Sequence, residues 1–547
     1  MQVRVVRVLL VGLILLSGWT GCAKQQSSPP AAQEGEGHSN GEEGTGASPS
    51  PGLPLIAANL GPEEAAAVLR ELGADLTRDQ NQPDKPVIAV SLIGPRVTDA
   101  ALDLLTRLPQ LKKLYLRGTS VSDVGLLTVR SLKGLEELSL EGAPITDAGL
   151  TLLGELSRVE KLWLSGTKVS DAGLKSLQGM TALAELWLND VPISGAGLEH
   201  LKGLAGLKML DLKRTQVVDD ALRHLGQLAA LRYLNLVGSR VGDAGLEHLK
   251  GLTRLEELYL PTAVGDAGLA HLEGLKGLKF LFLPGSRVGV AGLKHVQGLT
   301  ALEGLELGAT QVADAGLEHL KRLTRLRLLG LNDTQVGNAG LGHLAGLTGL
   351  EALQVRGTRL TDAGLASLKA MRKLEVLDAS RTQVGDAGLE HLKDLAALSM
   401  LNLERTRVGD AGLKHLHGLA ALTILNLDGT QVGDDGLRHL QGMGKLAGLV
   451  LANTRVGDAG LEHLAGLAGL RALALDNAKI GDPGLKHLGG LKSLDSLRLR
   501  GTQITDAGLG QLKGLVNLHT LAVGNTRITK AGMTALAELL PNARIIP

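Results

Sequence analysis

The stretch Val241–Leu252, which reads VGDAGLEHLKGL, is repeated with small changes along most of the chain, for example at Val408–Leu419 and Val456–Leu467. Its aspartate position recurs every 24 residues from 99 to 243 and again from 266 to 530, giving 19 copies, with one residue missing between Leu260 and Asp266. A fixed period of this length is typical of a solenoid, in which each unit packs on its neighbours. The sequence therefore predicts a long surface built from repeats.

Composition excludes several classes of protein. The 547 residues include 57 basic and 56 acidic side chains, and no basic run stands out, which argues against a nucleic-acid partner. The single cysteine, Cys22, excludes an intrachain disulfide and a thiolate metal cage.

The first 22 residues are predicted to be a signal peptide. The apolar run Val8–Leu16 follows two arginines and is too short to span a bilayer, which needs about 20 residues. The run ends in WTGC, residues 19–22, which resembles the lipobox of bacterial lipoproteins. The resemblance implies that Cys22 is lipidated and becomes the mature N-terminus. Trp19 departs from the pattern, where a leucine-like residue is usual, so a plain secretory signal and an uncleaved anchor remain as alternatives.

Two further segments precede the repeats. Residues 23–54 are rich in Ser, Pro, Gly, Gln and Glu, and they are predicted to form a disordered linker because they have little to bury. Residues 55–89 are predicted to form an N-terminal cap and lead-in. Its helix begins near Pro62, followed by two acidic residues at the N-terminal end of the dipole, and ends at Gly73.

Each repeat is predicted to contain one strand and one short helix. In Leu111–Leu135 the strand is Leu114–Leu116, and Asp123 lies where the helix begins. Aspartate fills this position in 15 of 19 copies, and we interpret it as an N-cap that accepts amide hydrogens of its own helix. Glycine stands two residues later in 17 copies, which indicates a close approach of backbone to backbone.

The consensus LxxLxLxxT-x-[VI]-x-DAGLxxLxGL resembles a leucine-rich repeat of the subtype in which Thr replaces the usual Asn. The resemblance covers about residues 90–540 and implies an α/β solenoid, a horseshoe or arc of about 19 repeats. A parallel β-sheet would line its concave face and short helices its convex face, with residues 541–547 as a C-terminal cap. The chain is similar to exported bacterial leucine-rich-repeat proteins. It is also similar to the repeats of F-box proteins, but it has no F-box, so a ubiquitin-related function is not transferred. The threonines stand at 119, 167, 215, 310, 334, 358, 382, 406, 430, 454, 502 and 526.

A histidine recurs at one helix position and forms a predicted ladder. A metal array is one interpretation, and an inherited half-exposed helix residue is the other. Since no cysteine or carboxylate cluster accompanies the ladder, we expect no metal site. No nucleophile arrangement or phosphate loop is present either, so we expect no catalytic residue, no cofactor and no enzyme activity. The twelve residues are His200, His224, His248, His271, His295, His319, His343, His391, His415, His439, His463 and His487.

The aromatic residues downstream of the signal segment are the candidate ligand-binding residues. They stand at strand positions that alternate with the core leucines, which predicts that they line the concave face. Strand propensity also favours aromatics, but comparable positions in later repeats hold Gly304, Gly330, Ala452 and Ala474, so propensity alone does not explain the pattern. The seven residues are Tyr115, Trp163, Trp187, Tyr233, Tyr259, Phe280 and Phe282.

These observations predict an exported protein of the cell envelope, anchored to a membrane through a lipid on Cys22. Its repeats would bind a protein or peptide, or a glycan, through the concave face, and nucleic acid is not an expected partner. The alternative is a passive structural component of the envelope with no specific ligand.

Overall fold

The computed structural model describes residues 60–547, which form two compact units, up to Lys168 and from Val169 onward. The predicted signal peptide, the lipidation site Cys22 and the predicted linker 23–54 lie outside the described residues. Among the residues that are described, no helix combines the length and the apolar character needed to cross a bilayer.

The first unit opens with helix α1, Pro62–Glu71, which begins at the predicted proline. Gly73 follows with a φ of 86°, a left-handed conformation that suits glycine. Strand β1 pairs antiparallel with β2, a pairing that the repeat pattern did not predict, and β2 to β5 are parallel. The strands are β1 Asp75–Arg78, β2 Val87–Ser91, β3 Lys113–Tyr115, β4 Glu137–Ser139 and β5 Lys161–Trp163.

The second unit repeats a three-residue strand and a short helix. Adjacent strands are parallel, and the middle residue of each strand, usually leucine, lies opposite its equivalent in the next. This confirms the predicted fold class. The strands are β6 Glu185–Trp187, β7 Met209–Asp211, β8 Tyr233–Asn235, β9 Glu257–Tyr259, β10 Phe280–Phe282, β11 Gly304–Glu306, β12 Leu328–Gly330, β13 Ala352–Gln354, β14 Val376–Asp378, β15 Met400–Asn402, β16 Ile424–Asn426, β17 Gly448–Val450, β18 Ala472–Ala474, β19 Ser496–Arg498, β20 Thr520–Ala522 and β21 Arg544–Ile546.

The helices on the other side of the sheet are mostly one turn long, and many continue as or consist of 3₁₀ helix. The α-helices after α1 are α2 Leu126–Val129, α3 Asp147–Leu153, α4 Asp243–Leu246, α5 Asp266–Ala270, α6 Val290–Leu293, α7 Asp314–Leu317, α8 Asn338–Leu344, α9 Asp362–Leu365, α10 Asp386–Leu389, α11 Asp410–Leu413, α12 Asp434–Leu437, α13 Asp482–Leu485 and α14 Lys530–Leu539. The 3₁₀ helices are Asp99–Arg107, Gly173–Gly179, Ala196–Leu201, Asp219–His224, Glu247–Leu249, Glu318–Leu320, Ala366–Leu368, Glu390–Leu392, Lys414–Leu416, Arg438–Leu440, Gly460–Leu464 and Asp506–Gly514.

The core consists of layers of leucine between strand and helix. Leu258 of β9, Val264 of the following turn and Leu269 of α5 are all fully buried. Because each layer packs on the next, burial of aliphatic side chains stabilises the array at about 1.5–3 kcal/mol per side chain. The repeat that lacks one residue absorbs the deletion in the turn after Leu260, and β9 and β10 keep the register Leu258 to Leu281.

The turn threonines stabilise the bend between strand and helix. Each is buried or half-buried, and its hydroxyl donates to the carbonyl three residues earlier, as Thr215 does to Leu212 over 2.7 Å. The residue before threonine has a left-handed φ. Glycine often fills this position, but Arg381 (φ 54°) and Arg405 (φ 52°) adopt it as well, at a conformational cost.

The recurring aspartates are not N-caps of their own helices, so that prediction is wrong. In α4 the residue before the helix is Gly242, and Asp243 is the first helical residue. Its carboxylate accepts the backbone N–H of Gly265 in the next repeat over 2.6 Å. The same bond joins Asp386 to Gly409 at 2.7 Å and Asp434 to Gly457 at 2.7 Å. We call this series the aspartate ladder. It bonds one repeat to the next, and hydrogen bonds to charged groups contribute about 1.5–3 kcal/mol each.

The recurring glycine allows the predicted close approach of backbone to backbone, and it also makes room for the aspartate ladder. A Cβ on Gly245 would lie 2.6 Å from Oδ1 of Asp219 in the preceding repeat and 3.1 Å from its Cα. Carboxylate and backbone both exclude a side chain, and at Gly197 the nearest atom is the backbone carbonyl oxygen of Asp171, at 2.5 Å. Within unit 2 the glycine is replaced by Ala221, and the preceding aspartate position there is Gly195, which has no carboxylate to avoid.

Candidate functional site: the aromatic side of the sheet

The candidate site lies on the side of the sheet opposite the leucine core, which we call the sheet face. It carries the first and third residues of each three-residue strand, because side chains alternate along a strand. All seven predicted aromatic residues occupy these positions. Tyr115, Trp163, Trp187, Tyr259 and Phe282 are third residues, whereas Tyr233 and Phe280 are first residues.

In the first unit the structure brings Tyr115 and Trp163 together. Their ring centroids lie 6.1 Å apart at an angle of 61°, an edge-to-face arrangement. The Tyr115 hydroxyl donates to Oε2 of Glu137 on the intervening strand over 2.5 Å. Both rings are half-buried. Trp187, in the second unit, is half-buried as well.

In the second unit four rings form a continuous group, which we call the ring cluster: Tyr233, Tyr259, Phe280 and Phe282. Tyr259 and Phe282 stack in parallel with centroids 4.4 Å apart. Tyr233 lies 5.3 Å from Tyr259, and Phe280 lies 6.4 Å from Phe282. Because these residues come from three adjacent strands, the rings cover a patch of sheet and do not stand singly.

Phe280 differs from the other rings in its exposure. It stands at a sheet-face position, but only 4% of it is exposed. It lies against Gly304 of the next strand, where a Cβ would come within 3.0 Å of two ring atoms. Phe280 is therefore a buried member of the cluster, while Tyr233, Tyr259 and Phe282 are half-buried and keep part of their surface accessible.

Carboxylates accompany the ring cluster, and the sequence prediction missed them. Asp211 accepts the backbone N–H of Lys213 (2.9 Å) and the Asn235 side chain (3.2 Å), and Glu306 accepts the N–H of Gly308 (2.8 Å). Burial raises the pKa of Asp211, Glu257 and Glu306 above the usual range of carboxyl groups. Burial likewise raises the pKa of the Tyr233 and Tyr259 hydroxyls, so both stay protonated at neutral pH. The repeat spacing contained the signal for two of the carboxylates. The third strand residues of the repeats before and after Tyr259 and Phe282 include Asp211 and Glu306.

The sheet face changes beyond the ring cluster. In β12 to β15 all three residues of each strand are buried. In β17 and β18 Val450, Ala452 and Ala474 form a small buried apolar group. Because these side chains are buried, this region presents little apolar surface to a ligand.

The histidine ladder lies on the helix side, away from the rings. Eleven of the twelve histidines are half-buried, and His343 is exposed. Burial lowers the pKa of His224 and His439, and a neighbouring arginine, Arg223 or Arg438, lowers it further. Repulsion from a neighbouring histidine, His200, makes only a minor contribution at His224. Within residues 60–547 no group of three or more His, Cys, Asp or Glu side chains is placed to hold a metal ion.

Comparisons with known proteins agree with this geometry. Residues 192–437 match a family model described as a leucine-rich repeat region. No curated protein matches the chain.

Two solved bacterial structures are similar to the chain. An internalin of Listeria monocytogenes is 26% identical, with a TM-score of 0.50, over 58% of this chain and 87% of that one. A leucine-rich-repeat protein of Leptospira interrogans is 19% identical, with a TM-score of 0.55, over 68% of this chain and 91% of that one. Together with the parallel strands and stacked leucine layers, these matches identify the fold as a leucine-rich-repeat solenoid.

Proposed function

We propose that this chain is a non-catalytic binding protein whose sheet face takes a protein or peptide partner at the ring cluster. The observation that supports the proposal is the contact between four rings over three adjacent strands. Contiguous exposed apolar surface is uncommon on proteins without a partner, and aromatic side chains supply much of the binding energy at interfaces. Tyr115, Trp163 and Trp187 extend the aromatic surface within their own units.

The test is capture of a partner by the full chain from an envelope extract of the source organism. The captured protein is then titrated against the parent chain and against Tyr259→Ala/Phe282→Ala. Loss of binding in the double variant, with an unchanged melting temperature, supports the proposal. Equal binding by parent and variant contradicts it.

A second candidate is a passive structural element of the envelope. The small, buried side chains of β17 and β18 favour it for the later repeats, because they offer no anchor for a ligand. Under this alternative the same capture experiment yields no partner whose binding depends on the rings. Substitutions in the ring cluster and in β17 and β18 would then have equally little effect on binding.

We further propose that the protein is exported and anchored by lipidation of Cys22. The support is the position of the chain's single cysteine at the end of WTGC, six positions after the apolar run Val8–Leu16, whose length suits the apolar part of a signal peptide. Cys22→Ser should release the protein into the soluble fraction and abolish incorporation of a labelled fatty-acid analogue. Lys24→Ser, two residues away, is the matched control and should leave both unchanged. Undiminished labelling of Cys22→Ser would contradict lipidation at Cys22.

A further inference from the structure

The ring cluster is bracketed by carboxylates on the sheet face. The third residues of β7 to β11 are, in register, Asp211, Asn235, Tyr259, Phe282 and Glu306. In the row of first residues Glu257 of β9 lies between its register partners Tyr233 and Phe280. Three acidic side chains thus share one face with four rings.

These carboxylates have no cationic partner within the described chain. Among residues 60–547 neither Asp211, Glu257 nor Glu306 forms an ion pair, and the polar contacts of Asp211 and Glu306 are with neutral groups. Lys213 lies near Asp211 but forms no ion pair with it, and the two cations near Glu257 are engaged elsewhere. Arg232 and Lys279 both pair with Glu256, at 2.6 and 2.8 Å. A buried carboxylate without a counterion is costly, so the arrangement favours a positive charge supplied from outside.

Glycines of the following strands make room for this arrangement. The Glu306 carboxylate lies over Gly330, where a Cβ would overlap its oxygens. Phe280 lies over Gly304 in the same way. A larger residue at Gly330 would therefore displace the Glu306 carboxylate, which lies one strand further from Phe282.

We propose that the ring cluster with Asp211, Glu257 and Glu306 binds a cationic side chain, an arginine or lysine of the partner protein or peptide. Aromatic ring faces attract cations, and a guanidinium group can stack on a ring while its N–H groups donate to a carboxylate. The inference rests on the proposed binding function and names the chemistry of its partner. It also excludes a polyanion at this position, because the carboxylates would repel it.

The charges around the site set the expected pH dependence. Besides burial, Asp190 raises and Lys213 lowers the pKa of Asp211, while Glu256 raises and Lys279 lowers that of Glu257. A bound cation favours the ionised carboxylates. Binding should therefore release protons, and the affinity should fall as the pH drops through the raised pKa values.

The experiment titrates the full chain with two short peptides by calorimetry. One has a central arginine between two leucines, and the other has citrulline, which keeps the shape of arginine but carries no charge. The arginine peptide should bind about tenfold more tightly. Glu306→Gln and Asp211→Asn should remove most of this difference while leaving the citrulline peptide unaffected. Glu318→Gln, on the helix side, is the control for net charge and should retain the preference.

Several outcomes would overturn the cation site. Equal binding of both peptides, no binding of the arginine peptide, or an unchanged preference in folded Glu306→Gln and Asp211→Asn would each do so. Binding of a neutral oligosaccharide in place of either peptide would assign the rings to a glycan. If the captured partner still requires Tyr259 and Phe282 when any of these results is obtained, only the cation site is contradicted and the proposed function is retained. If the ring variants bind every ligand as the parent does, the proposed function falls as well.

Discussion

Strands β9 and β10 and strands β17 and β18 use the same backbone for two different surfaces. Tyr259 and Phe282 are third strand residues in the first pair, and they stack as half-buried rings. Val450 and Ala474 hold the same positions in the second pair and are 6% and 3% exposed. The leucine layers beneath are equivalent in both. The difference shows that the third strand residue decides whether a repeat presents half-buried rings or a closed apolar surface.

The largest expected effect is on binding. Tyr259→Ala/Phe282→Ala removes two stacked anchors and should weaken a captured partner by about 3–5 kcal/mol, since anchors at interface centres contribute about 2 kcal/mol or more each. Val450→Ala in β17 is the control, with affinity unchanged. Surface plasmon resonance against the captured partner measures both. A similar loss of affinity in the two variants would show that the ring cluster and β17 do not differ in binding.

The next test transfers the rings. Val450→Tyr/Ala474→Phe should place a second ring pair on β17 and β18 without unfolding the chain, because the side chains can rise above the sheet. We expect a loss of about 1–3 kcal/mol in the free energy of unfolding, as for other added bulk in packed positions. Near-ultraviolet circular dichroism should show a new aromatic signal. Unfolding of the variant would mean that the late sheet face is closed by its backbone geometry and not by side-chain size.

Substitutions of the aspartate ladder on the helix side should lower stability equally in the early and the late repeats. Asp243→Ala and Asp434→Ala each leave a backbone N–H of the next repeat, that of Gly265 or Gly457, without its acceptor. We expect each to cost about 1–3 kcal/mol in urea unfolding. The converse change, Val290→Asp, should restore a missing step of the ladder and stabilise the chain by about 1 kcal/mol. A cost confined to one region would mean that the repeats are not equivalent in their cores.

The smallest expected effect is on stability against pH. Burial raises the pKa of Glu306, so its contribution to stability is present at low pH and lost as the pH rises through the folded value. Glu306→Gln should therefore raise the melting temperature at pH 7 and have little effect at pH 4. Asp378→Asn in β14 should behave alike, because burial also raises the pKa of Asp378. Asp506→Asn should have the opposite effect and lower the melting temperature at pH 7, since the Thr529 hydroxyl lowers the pKa of the Asp506 carboxyl group.

Most of the fold could be predicted from the sequence because the period and the leucine spacing are local signals. The ring positions followed from the same spacing, since each ring alternates with a buried leucine. The partner of each ladder aspartate could not be found within one repeat, because its N–H donor lies 22 or 23 residues further along the chain. The burial of Phe280 was missed for a similar reason, as it depends on Gly304 in the next strand. Contacts between repeats decide these details, and the consensus of one repeat does not contain them.

The pairing of Gly195 with Ala221 limits how such an array can grow by gene duplication. A repeat that carries the usual glycine can follow almost any other, because it tolerates an aspartate before it. The repeat with Ala221 can follow only one without that carboxylate, since its methyl group occupies the space that the aspartate would need. Recombination can therefore copy the common units singly and in any order, whereas the repeat with Ala221 must be copied together with the repeat that precedes it.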